Sequence, residues 1–132
     1  MTDNVNKNRI MYKITVMDTF SSAHRLKNYR GKCENLHGHN WKVEVTLSGR
    51  ALDKSGILFD FTVLKKILKN IIFRLDHANL NEISYFKKFN PTSENIAKYI
   101  FDKLQLQVTR FKLEIAEVAV WESDTSKAVY EK

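Results

Sequence analysis

His37-Gly38-His39-Asn40-Trp41-Lys42-Val43-Glu44-Val45-Thr46-Leu47 is the most strongly patterned stretch of this chain. Its period is two: His37, His39, Trp41, Val43, Val45 and Leu47 fall on one face, Lys42, Glu44 and Thr46 on the other. A β-strand covered on one side has that pattern, because successive side chains leave opposite faces of the pleat. The apolar part, Trp41 to Leu47, needs a layer packed over it. The two histidines lie at the end of the same face.

On the N-terminal side a second alternation, Ile10, Tyr12, Ile14 and Val16, predicts a strand from Ile10 to Thr19. A polar, basic loop then runs to about Leu36, so these two strands form a hairpin. On the C-terminal side, Ser48-Gly49 and Lys54-Ser55-Gly56 break the pattern. Leu64, Ile67, Leu68, Ile71, Ile72 and Leu75 follow at helical spacing, predicting a helix over Phe61 to Leu75 with Asp60 as its N-cap. Asn90-Pro91-Thr92-Ser93-Glu94 announces a second helix that buries Ile96, Ala97, Ile100 and Leu104. Phe111 to Trp121 reads as a strand whose apolar phase shifts from odd to even positions, predicting a β-bulge near Ala116-Glu117. A short strand over Lys127 to Tyr130 ends the pattern. The order is β-β-α-α-β-β: an α+β domain with an antiparallel four-stranded sheet and two helices on one face. Residues 10–132 form that single domain, after a flexible lead-in over residues 1–9. Such a sheet has two edges to protect or to pair with neighbouring subunits.

The chain has 132 residues, enough for one core. Its 43% hydrophobic and 28% charged residues exclude a disordered class. No apolar run reaches the ~20 residues of a membrane span, and the polar N-terminus lacks the apolar core of an export signal. A single cysteine excludes an internal disulfide framework and fits a reducing, cytoplasmic setting. The net charge of +7 favours anionic partners without choosing among them.

Chemistry-bearing residues are few. Three of the four histidines are His24, His37 and His39. His37 and His39, at i and i+2 on a strand, leave one face about 7 Å apart, and a hairpin could bring His24 across from just past the end of the preceding strand. Three neutral imidazoles with a fourth position open is the catalytic zinc arrangement. The residues alone leave a surface histidine pair equally open. Cys33 lies in a basic loop, where positive neighbours and a metal would favour the thiolate; a structural cysteine is the alternative. Asp76-His77 can be a charge-stabilised proton relay or a helix C-cap. Glu122, at the end of a strand, can grip a guanidine-like edge through two hydrogen bonds or stand in solvent. Arg25, Lys27 and Arg30 are candidates to meet phosphates or are simply solvated.

Taken in order, Phe20-Ser21-Ser22-Ala23-His24-Arg25-Leu26, Lys32-Cys33-Glu34-Asn35-Leu36-His37-Gly38-His39-Asn40, Leu75-Asp76-His77-Ala78-Asn79-Leu80-Asn81, Asn90-Pro91-Thr92-Ser93-Glu94-Asn95 and Trp121-Glu122 resemble the motifs of the 6-pyruvoyltetrahydropterin synthase family. The resemblance covers about Tyr12 to Tyr130. It implies the tunnelling fold, in which such subunits form a trimeric barrel and two trimers stack into a hexamer with active sites between subunits. It implies zinc on His24, His37 and His39, Cys33 as general base, and Asp76 and His77 as its relay, with sites between subunits letting that pair serve a neighbour's cysteine. Glu122 would anchor the pterin ring and take part in the relay as a catalytic residue, and Thr92, Ser93 and Glu94 would line the ring's pocket. Trp41 stands where the family more usually has Tyr or Phe.

Within the family, Cys-x-x-x-His-Gly-His resembles the bacterial 6-carboxytetrahydropterin synthases of queuosine synthesis. The implied reaction converts 7,8-dihydroneopterin triphosphate to 6-carboxy-5,6,7,8-tetrahydropterin, acetaldehyde and triphosphate. The alternative is 6-pyruvoyltetrahydropterin formation, with the three-carbon side chain kept. No glycine-rich dinucleotide loop is present. A basic, non-catalytic RNA-binding module is the reading from another class; it would call for an aromatic-basic stripe, which the sequence lacks. Neither nucleic acid nor membrane is therefore an expected partner.

Overall fold

A computed structural model describes residues 11–31 and 34–132; the expected lead-in over residues 1–9 and the predicted strand start at Ile10 lie outside them. Strands β1 (Tyr12–His24) and β2 (His37–Gly49) pair antiparallel along their whole length, from Tyr12 opposite Gly49 to His24 opposite His37. Even residues of β1 and odd residues of β2 share one face, which brings Val16, Phe20, Trp41, Val43, Val45 and Leu47 into the core. This face fixes the register. A slip of one residue in β2 would turn Val43, Val45 and Leu47 to solvent. At about 1.5–3 kcal/mol for each buried side chain, the slip would cost as much as a whole domain's net stability of about 5–15 kcal/mol.

Beyond β2 come helix α1 (Phe61–Ile72), strand β3 (Ala78–Asn79), a 3-10 turn over Leu80–Glu82, helix α2 (Ser84–Lys88), helix α3 (Ser93–Val108), a 3-10 turn over Thr109–Phe111, and strands β4 (Glu114–Ser123) and β5 (Ser126–Glu131). The sheet order is β3-β1-β2-β4-β5. The β-β-α-α-β-β plan therefore holds with additions. The sheet has five strands rather than four and is mixed rather than antiparallel, because β3 pairs parallel to β1 at Ser22 and Ala23. The predicted bulge is present: Thr46 faces Glu117 and Leu47 faces Ile115, so Ala116 is passed over.

The α1 helix starts where Asp60 Oδ1 accepts the Thr62 N–H at 2.8 Å. It buries Leu64, Ile67, Leu68 and Ile72. It ends three residues before the predicted Leu75, which stays buried in the turn that follows. In α3 the Thr92 hydroxyl caps the Asn95 N–H at 3.1 Å, and Ile96, Ala97, Ile100 and Leu104 are buried as expected. Phe111 belongs to the turn before β4 rather than to the strand. Helix α1 lies over β1 and α3 over β4 and β5, covering the apolar part of one sheet face. The histidine end of that face is where the sheet runs out beyond this apolar layer. No helix among the described residues is long and apolar enough to cross a membrane.

Candidate functional site

β1 reaches five residues beyond its predicted end at Thr19, and its last residue is His24. The hairpin register then puts His24 opposite His37 and Ser22 opposite His39. All three histidines lie on the helix-side face, and one ring nitrogen from each comes within 4.8 Å of the others. Their floor is Trp41, fully buried, stacked on Phe20 at 5.8 Å and edge-on to His24 at 4.8 Å and His39 at 5.1 Å. The Trp41 indole N–H donates to the Ser22 carbonyl at 3.2 Å.

Two tautomers follow from backbone carbonyls. The Pro91 oxygen lies 2.7 Å from His24 Nδ1 and the Asn35 oxygen 2.8 Å from His37 Nδ1. A carbonyl only accepts, so each Nδ1 carries the proton and each Nε2 offers a lone pair. Metal-binding histidines are oriented in this way. Burial, with further repulsion from His37 and His39, outweighs Pro91 and Glu122 and pushes the His24 pKa down, keeping its ring neutral. The Nε2 atoms of His24 and His39 are buried and have no hydrogen-bond partner among the described residues. Each such orphan costs about 1–3 kcal/mol. A divalent cation on His24, His37 and His39 would satisfy both, so the residues fit a zinc ion with an open position.

Glu122 lies 3.9 Å from both His24 Nε2 and His39 Nε2, with 41% of its side chain exposed. It also borders a cavity of about 450 Å³, within the usual range for a small-molecule site. Lys27 and Arg30 line that cavity from the β1–β2 loop, and Thr92, Ser93 and Glu94 line it from the start of α3. Six of the residues expected at a substrate site thus share one cavity, with Glu122 on the side of the histidines. Arg25 is not among the residues that line it.

Asp76 and His77 occupy another place. Asp76 Oδ1 accepts the Ser21 N–H at 2.8 Å and lies 3.0 Å from His77 Nδ1, while the His77 N–H donates to the Ser21 carbonyl at 2.6 Å. The Ser21 N–H, ahead of the His77 ring, holds the Asp76 pKa below the usual carboxylate range. His77 has a left-handed backbone (φ 53°) and an 83% exposed side chain, just before edge strand β3. Asp76 and His77 are in contact with each other, but at the sheet edge and open to solvent. Cys33 lies outside the described residues.

Several positioning residues carry no signal of their own in the sequence. Asn81 Oδ1 and Nδ2 bond the N–H and carbonyl of Arg25 at 2.8 and 2.9 Å. Asn90 does the same for Lys27 at 2.9 and 2.7 Å. Each amide replaces a missing strand partner and holds the chain leaving β1. Glu34 closes the loop from its other end, exchanging bonds with Leu26. Asn81 and Asn90 belong to the quoted motifs, but an amide pairing with a distant backbone leaves no trace in periodicity.

Residues 13–132 match the family model for 6-pyruvoyl tetrahydropterin synthase. The chain is 33% identical to the 6-carboxy-5,6,7,8-tetrahydropterin synthase of Haemophilus influenzae, over 92% of this chain and 100% of that protein. It is 36% identical to the 6-pyruvoyl tetrahydrobiopterin synthase of Drosophila melanogaster, over 83% and 73%. Among solved structures, the Caenorhabditis elegans 6-pyruvoyl tetrahydropterin synthase superimposes with a TM-score of 0.82 at 31% identity, covering 92% of this chain and 96% of that one.

Proposed function

The chain belongs to the 6-pyruvoyl tetrahydropterin synthase family, and from that membership we propose that it is a zinc-dependent lyase converting 7,8-dihydroneopterin triphosphate and one water to 6-carboxy-5,6,7,8-tetrahydropterin, acetaldehyde and triphosphate. The observation that carries this reading is the His24-His37-His39 cluster, with two Nε2 atoms that lack a partner among the described residues, 3.9 Å from Glu122, which itself lines a cavity with cationic and polar walls. Relatives bear both the carboxy and the pyruvoyl name. The three-residue spacing between Cys33 and His37 favours the carboxy branch, and with it queuosine synthesis in the cytoplasm.

Zinc on the three histidines would supply Lewis acidity at the hydroxyls of the substrate side chain. The chain's own groups do the rest. Glu122 accepts two hydrogen bonds from the guanidine edge of the pterin and fixes the ring in the cavity. Thr92, Ser93 and Glu94 line the ring's pocket, while Lys27 and Arg30 meet the triphosphate. Cys33, as thiolate, removes the proton beside the ring. His77, oriented by Asp76, takes up and returns that proton. Its exposed position at the sheet edge supports service to the cysteine of an adjacent subunit, in a hexamer built from two trimers.

The test is anaerobic incubation of the zinc-loaded protein with 7,8-dihydroneopterin triphosphate, with products identified by mass spectrometry. A carboxylated tetrahydropterin with acetaldehyde is expected. A pyruvoyl product would reassign the branch, and absence of turnover would refute the lyase.

A further inference from the structure

A groove of about 720 Å³ lies elsewhere, on the outer side of the helical layer between α1 and α3. It shares no lining residue with the cavity beside the histidines. Two rows of side chains border it. Lys66, Asn70 and Arg74 recur every four residues along α1 and the turn after it, and Lys103, Gln107 and Arg110 recur at i, i+4 and i+7 along α3 and its continuation. Residues at these spacings stand above one another on one helix face. Each row is therefore cation, amide, cation, and spans roughly 10–12 Å at 1.5 Å per residue. Arg74, at the end of α1, lines an adjoining cavity together with Tyr99 and Lys103, so the end of α1 faces the first half of α3 and the two rows run antiparallel.

No acidic residue lines this groove. Among the described residues none of its four cations forms an ion pair, and Asp102, the acid nearest in sequence to Lys103, is engaged by Lys98 at 2.7 Å. Four like charges around one cleft repel one another, and a cleft of single sign concentrates counter-ions. Between the rows the floor is apolar: Val63, Ile67, Ile71 and the ring of Tyr99. The lining thus joins cations and amide donors for an oligophosphate to a patch for an apolar, planar body.

We infer that the α1–α3 groove is a second binding site, for a nucleoside triphosphate. Its charge matches a triphosphate, and its volume lies within the small-molecule range. A nucleic acid would call for a longer cationic track than two rows of this length.

Isothermal titration of the zinc-loaded protein with ATP, inorganic triphosphate, adenosine and a single-stranded 20-mer tests the site, at fixed ionic strength. ATP is expected to bind, inorganic triphosphate about tenfold more weakly, and adenosine not measurably. Lys66→Ala combined with Lys103→Ala should weaken ATP tenfold or more, with zinc content and melting temperature kept. Lys27→Ala combined with Arg30→Ala, in the other cavity, should leave that ATP binding unchanged. The inference is overturned if ATP fails to bind the wild-type protein, or if the groove variant binds it as the wild type does. It also falls if the Lys27/Arg30 variant alone loses ATP, or if the 20-mer binds more tightly than ATP. Triphosphate binding as tightly as ATP would overturn the nucleoside part.

Discussion

Replacing Asn90 with alanine removes two hydrogen bonds that no other side chain can supply: Oδ1 to the Lys27 N–H at 2.9 Å and Nδ2 to the Lys27 carbonyl at 2.7 Å. Each is worth about 0.5–1.5 kcal/mol. Both residues are partly exposed, so water recovers some of that. The expected loss is about 1–2 kcal/mol, and at about 3–5 °C per kcal/mol for a chain of this size the melting temperature falls by about 3–10 °C. The effect on function is more specific. Lys27 lines the cavity and loses its anchor, whereas the Pro91 carbonyl that orients His24 belongs to a backbone held independently by the Thr92 N–H on the Asn90 carbonyl. KM for the triphosphate substrate should therefore rise several-fold while bound zinc per chain stays at the wild-type level. Scanning calorimetry, steady-state kinetics and metal analysis on one preparation read all three. An unchanged KM and a melting temperature within about 1 °C of wild type would refute the idea that this amide positions the loop.

Glu122→Gln keeps the shape of the side chain but removes its charge. A charge-assisted pair is worth about 1.5–3 kcal/mol, so kcat/KM should drop about ten- to hundredfold with zinc retained; wild-type kcat/KM would remove Glu122 from the site. Trp41→Ala should cost about 3–5 kcal/mol in urea unfolding, because it empties the floor beneath His24 and His39, while Trp41→Phe costs far less. Asp76 has a folded pKa below its ordinary 3.8, so it contributes stability that is fully present above that pH and lost as pH falls through the depressed value. Acid unfolding of Asp76→Asn should accordingly show a shallower dependence on pH below about 4 than the wild type.

Much of the sheet was legible because burial wrote it into the sequence. Trp41, Val43, Val45 and Leu47 are all fully buried, and the phase change around Ala116 marks a real bulge. The Asp60 cap was legible for the same local reason. The predicted end of β1 at Thr19 fell short of His24 because the covered face turns polar as it approaches the site. Ser22 and His24 are buried there, but a hydrophobic period sees only Phe20. The α1 prediction overran because Leu75 remains buried after the helix stops, so apolar spacing could not mark the end. β3 and α2 left no pattern: the first is two residues paired to β1, the second five residues anchored by Phe86. The three histidines were visible as residue types, and the direct His24–His37 pairing appeared only with the register. The carbonyls of Pro91 and Asn35 that set two tautomers belong to the backbone, which the identity of a residue does not reveal.

Zinc at the three histidines is the claim on which the proposed chemistry rests, and metal analysis with X-ray absorption on protein purified without added metal tests it most directly. The expected result is one zinc per chain with three nitrogen ligands at about 2.0–2.1 Å and an oxygen completing the shell, reduced to a trace in His39→Ala. A metal-free protein, or a sulfur ligand at about 2.3 Å that makes Cys33 a ligand instead of a base, would contradict it.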